Sequence, residues 1–162
     1  MPLSWPYLHT VVNHFPIILS VVGCAVLVLA WITKRRGVWL YAAATLALAG
    51  LAAYPAFFSG DQAAHALRGT WYIVSDAVHE HDQAAGFALT FLLLTGAASG
   101  YLWWRMLRRD VTMLPPAWLR AVVTVLALFT LTVVARTAYL GGLIVHESPK
   151  LANPPAVSAP AP

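Results

Sequence analysis

Four apolar runs, each about long enough to cross a hydrocarbon core, take up most of this 162-residue chain and restrict what it can fold into. They cover residues 8–31, 38–58, 83–104 and 118–145, and stop at the charged or turn-forming segments TKRRG, SGDQ, RMLRRD and HESPK. Crossing roughly 30 Å of hydrocarbon takes about 20 apolar residues per helix, so these spans fill the chain. With 60% of residues hydrophobic and 10% charged, the composition excludes an ordinary soluble domain. The expected fold is all-α: an integral membrane four-helix bundle over residues 1–148, followed by a proline- and alanine-rich tail over 149–162.

Basic residues are retained on the cytoplasmic side of a membrane, and their distribution sets an orientation. Lys34, Arg35 and Arg36 follow the first run, and Arg105, Arg108, Arg109 and Arg120 lie between the third and fourth; Arg68 and Lys150 fall on the other side. Both termini are therefore expected to face the periplasm, with the chain a multi-pass protein of a bacterial inner membrane. No basic stretch precedes the first run and no small-residue cleavage site follows it, which reads as a retained anchor. The net charge of +4 is then a topology signal and implies no nucleic-acid partner. The single cysteine, Cys24, has no internal disulfide partner and fits as an apolar filler, and no C-x-x-C-H motif for covalent haem occurs.

Aromatic residues gather where the runs end, with Trp5, Tyr7, Trp71, Tyr72 and Tyr139 on one side and Trp31, Trp39, Trp103, Trp104 and Trp118 on the other. That is the belt expected at two membrane interfaces. Small residues crowd the second run (AAATLALAGLAA) and the third (Ala84, Ala85, Gly86, Ala88, then Gly96, Ala97, Ala98, Gly100), where they allow close helix approach or leave room for a flat cofactor. The polar stretch Ser59–Asp82 is expected to be one long outer connection, partly helical along the membrane surface, and a candidate lid or docking surface. No internal repeat is evident.

With this topology all six histidines fall on the outer side, and so do five of the six carboxylates, Asp110 being the exception. His9 and His14 open the first run, His65, His79 and His81 precede the third, and His146 closes the fourth. Imidazole ligates zinc, copper and iron, including the axial positions of haem. A bis-histidine b-type haem needs one inward-facing histidine on each of two helices, and His14 and His81 are the first candidates. His9 and His146 supply a second pair. Arg136 lies ten residues before His146, roughly 15 Å along a helix, and is expected to face the bundle interior with Tyr139, Leu143 and His146. A haem propionate, Asp61 or Asp82 would satisfy its guanidinium; a structural Arg–carboxylate pair is the alternative. His79 and His81 stand about 200° apart on a helix, which weakens a two-point metal grip by that pair. No H-E-x-x-H, phosphate loop or dinucleotide fingerprint appears.

The segments LHTVVNHFPIIL, SGDQA, HEHDQAAGFAL and YLGGLIVHE, in this order over residues 8–148, resemble a bacterial family of four-span membrane proteins of unknown function. The matching positions are His9, His14, Phe15, Pro16, Asp61, His81, Gly141, Gly142 and His146. Members of that family are often joined to c-type cytochrome or Rieske iron–sulfur modules, so the resemblance implies membrane electron transfer. This chain carries no such module, which implies a subunit that is no enzyme by itself. Its expected partners are the lipid bilayer, other membrane subunits or a periplasmic c-type cytochrome, and quinone. The leading expectation is a subunit with b-type haem on the histidine side; the alternative is a cofactor-free structural or assembly subunit of a respiratory or photosynthetic complex.

Overall fold

The computed structural model describes residues 4–69, 75–108 and 114–146, with the side chains of Ser75, Val145 and His146 outside that description. Trp71, Tyr72, Arg109, Asp110, Glu147, Lys150 and the tail 149–162 also lie outside the described residues. The elements are helical throughout the described residues: α1 Trp5–Val12, α2 His14–Thr33, α3 Arg36–Ala66, α4 Ser75–Leu107 and α5 Ala117–His146. Four helical stretches are long and apolar enough to cross a membrane, α1 and α2 together forming the first.

α1 and α2 are one helix broken at Asn13. Pro16 has no N–H to offer the Val12 carbonyl, and its ring crowds that carbonyl, so the break falls one turn before the proline. α2 ends where Lys34 takes a left-handed conformation (φ 55°) and donates its N–H to Ala30 O at 3.0 Å. Lys34 and Arg35 are the whole connection to α3.

The helices pack in the cyclic order α1/α2, α3, α4, α5, so α1/α2 lies diagonally across from α4, and α3 from α5. α3 presents a face of small residues, Ala42, Ala49, Gly50, Ala53, Ala56, Ser59 and Ala63, all buried. At its midpoint a Cβ built on Gly50 would lie 2.8 Å from Gly96 Cα, so the backbones of α3 and α4 touch there. The small residues at this crossing serve helix contact and leave no slot for a flat group.

Two core clusters fill the bundle. One, at the arginine-bearing end, contains Leu27, Trp39, Leu46, Leu102, Leu119 and Val123. The other, nearer the histidines, contains Ala49, Ala53, Ala88, Leu92 and Val134. The large apolar side chains that remain point outward: Ile32 and Leu51 are each 73% exposed and Val125 67%. An exterior of this kind matches hydrocarbon, where no hydrophobic force between helices exists and small residues and hydrogen bonds hold them together.

One expectation is corrected. Ser59–Asp82 is not a two-dozen-residue connection: α3 continues to Ala66 and α4 starts at Ser75. Apolarity ends near Phe58 and resumes near Gln83, but backbone hydrogen bonding runs on, so SGDQ and HEHD are helical turns projecting beyond the apolar belt.

Candidate histidine site

His9, on α1, places its Nδ1 3.1 Å from Ala56 O and 3.1 Å from Ser59 Oγ, both on α3. A carbonyl only accepts, so Nδ1 carries the proton and donates. Ser59 Oγ donates in turn to Ala56 O at 2.9 Å, leaving its lone pair for the imidazole. The ring lies against Gly60, where a Cβ would come within 2.9 Å of His9 Cε1.

His81, on α4, repeats this arrangement on α5. Its Nδ1 donates to Thr137 O at 3.0 Å, and its ring covers Gly141, where a Cβ would lie 3.0 Å from Cε1. In both cases the acceptor carbonyl sits four residues before the glycine, one helical turn away. The chain thus docks a histidine twice, once in each hairpin, a structural repetition that the sequence does not display.

The two imidazoles are both partly buried. They come from diagonally opposite helices at the same end of the bundle. Both Nδ1–H groups are fixed on backbone carbonyls, and among the described residues neither Nε2 makes a hydrogen bond. An imidazole held at Nδ1 keeps a fixed tautomer and presents Nε2 as a Lewis base, the arrangement that orients metal-ligating histidines. Asn13, one turn below His9, adds a buried Oδ1 with no hydrogen-bond partner among the described residues. Small residues back the two rings: Ala56 and Gly60 behind His9, and Gly141 behind His81.

The other candidates fall elsewhere. His14 is exposed at the kink, its Nδ1 2.5 Å from Thr10 O. His79 is exposed beside Gln83 at 2.8 Å, and His65 forms an exposed pair with Asp61 at 3.6 Å. Glu80 and Asp82 face outward as well, as their offsets from His81 on a helix require. The side chain of His146 lies outside the described residues. Among the described residues no three of His, Cys, Asp or Glu come together as a metal-binding group, so a metal held here would draw two protein nitrogens and complete its shell from elsewhere.

Arg136 corrects a second expectation. The buried stripe of α5 runs Leu119, Val123, Ala127, Thr130, Val134, with Thr137 and Gly141 continuing it. Arg136 is two residues past Val134, about 200° around the helix, and is exposed together with Tyr139. It makes no hydrogen bond or ion pair among the described residues.

Sequence reading missed two participants, Asn13 and the seat Gly60, and singled out Gly141 only as a position matching the family resemblance, without its part as a seat for His81. The spacings A-x-x-x-G (56–60) and T-x-x-x-G (137–141) carry the signal, but small-x-x-x-small is too common in apolar helices to single them out. No family model, curated protein or solved structure matches this chain.

Proposed function

We propose that the chain is a small multi-pass subunit of a bacterial inner-membrane redox complex, in which His9 and His81 ligate a haem iron at the histidine-bearing end. One observation carries this reading: two imidazoles on diagonal helices, each fixed through Nδ1, each with an Nε2 that makes no hydrogen bond among the described residues. The donor set fits. Two neutral imidazole nitrogens would serve as ligands to a b-type haem iron, each oriented by the backbone carbonyl that holds its Nδ1. Bound haem would supply one-electron transfer. The protein's part is to hold both ring tautomers through Ala56 O and Thr137 O, and to keep bulk solvent from one side with the Ala53–Ala88–Leu92–Val134 core. Lys34, Arg35, Arg36, Arg105, Arg108 and Arg120 share the opposite end, which supports a cytoplasmic location for that end and a periplasmic one for the histidines. The resemblance to the family joined to cytochrome and Rieske modules points to an electron donor outside this chain.

A second reading rests on the same hydrogen bonds. Each imidazole already ties two helices together, and a structural subunit would need nothing more. A reduced-minus-oxidised visible spectrum with iron and copper analysis of the purified protein separates the two. The redox reading expects a b-type band near one haem per chain, lost in His9→Ala and in His81→Ala and kept in His14→Ala. Stable protein without haem or metal overturns it and leaves the helix staples as the whole role.

A further inference from the structure

The arginine-bearing end holds three buried N–H groups with no acceptor among the described residues: Arg36 Nε, Trp39 Nε1 and Arg120 Nε. Trp39 is fully buried, packed edge-on against Trp31 with ring centroids 5.4 Å apart. The Arg120 guanidinium lies over both rings, 5.1 Å from the Trp31 centroid and 5.8 Å from that of Trp39. Arg36, one turn before Trp39 on α3, spends one Nη2 hydrogen on the Met106 carbonyl of α4 and leaves Nε unused. Aromatic faces offset part of a guanidinium's charge, but they do not satisfy its N–H groups.

The surroundings are all of one sign. α3 and α5 both begin here, neither with an acidic residue in its first turn, and their N-termini add partial positive charge. All the described carboxylates, Asp61, Asp76, Glu80 and Asp82, lie at the opposite end. Two cations, an indole N–H and two helix N-termini together ask for an anion with several acceptor oxygens. A carboxylate offers two oxygens; a phosphate group offers more, in a tetrahedral array that suits guanidinium and indole donors.

We infer that Arg36, Trp39 and Arg120 form a binding site for a phosphate group, at the depth where lipid headgroups meet the arginine-bearing ends of the helices. Headgroup phosphate and free phosphate share this chemistry, and basic pockets between helices on this side of a membrane take anionic headgroups.

The test follows the thermal unfolding midpoint of the full chain in detergent against inorganic phosphate and, separately, short-chain phosphatidylglycerol, with chloride at equal ionic strength as reference. At least one probe is expected to raise the midpoint. A response to the lipid alone assigns the headgroup as source, and a response to both assigns free phosphate as well. Arg36→Gln and Arg120→Gln should each weaken binding about tenfold or more, the worth of a hydrogen bond to a charged group. Trp39→Phe, which keeps an aromatic ring beneath Arg120 and loses the five-membered half of the indole with its N–H, should weaken binding less than the arginine variants. The inference is overturned if neither probe acts beyond chloride, or if all three variants keep wild-type affinity. It is overturned too if binding appears only in Asp110→Asn, because the chain's own carboxylate would then be the acceptor.

Discussion

His81 lies on Gly141 with so little clearance that a Cβ there would come within 3.0 Å of Cε1 and 3.3 Å of Nδ1. The neighbouring glycine, Gly142, has nothing within 4 Å of the same built atom. Adjacent substitutions should therefore behave oppositely. Gly141→Ala pushes the ring off Thr137 O and should cost about 1–3 kcal/mol, as overpacking does. Gly142→Ala should be neutral or gain up to about 1 kcal/mol from helix propensity. Denaturant unfolding in detergent reads the stabilities and, if His9 and His81 hold a haem iron, haem per chain reads the ring position. Gly60→Ala should repeat the Gly141 result through His9.

A harsher outcome is expected where both neighbours are backbone. A Cβ on Gly50 would meet Gly96 Cα and Leu92 O, both at 2.8 Å, and neither atom can rotate aside as an imidazole can. Gly50→Ala or Gly96→Ala must separate α3 from α4 and loosen the Ala53–Leu92 core, costing about 3 kcal/mol, the upper end for overpacking. Gly37→Ala, on the open side of α3, is the control that should retain wild-type stability. Unfolding curves of the three variants check this directly.

These close approaches mark the limit of what the sequence discloses. The four spans are legible because each needs only its own run of apolar residues. The extent of the helices is not, because Ser59 and Gly60 read as a turn while Ser59 Oγ bonds back to Ala56 O within the helix and Gly60 becomes a seat for His9. One-sidedness of the histidines follows from topology alone. Which of His9 and His14 turns inward is decided by packing: the two lie about 140° apart on a helix, so only one can face α3, and it is His9 that does while His14 is exposed. The spacing in the sequence puts Arg136 on a face only two residues away from the one α5 buries, and on a helix two residues decide between core and exterior.

Deep in the bundle, Thr95 Oγ1 and Thr130 Oγ1 are 2.7 Å apart, and Thr130 also reaches Phe91 O at 3.2 Å. Either hydroxyl is the other's partner, so Thr95→Val or Thr130→Val leaves one buried hydroxyl short of a bond. Each single variant should lose about 0.5–1.5 kcal/mol, while the double variant removes both polar groups and should lie closer to wild type than the two losses added. A double-mutant cycle on unfolding free energies measures that coupling; strict additivity would mean that the hydroxyls act independently.

Arg136 offers the sharpest contrast between the reading from sequence and the structure. Had it been a buried partner of a carboxylate, replacing it would strand a charge in the core at a cost of about 3–5 kcal/mol. Exposed on α5, with no ion pair among the described residues, it holds no such network together. Arg136→Leu should therefore change stability by no more than about 0.5 kcal/mol, or raise it by removing a costly charge from an apolar belt. Haem content, if His9 and His81 hold the iron, should stay at the wild-type level, because the substituted side chain points away from both rings. A loss of haem in Arg136→Leu with the fold intact would place the guanidinium back at the cofactor and against the facing seen here. Loss confined to assembly with partner subunits would instead mark this face of α5 as the surface they cover.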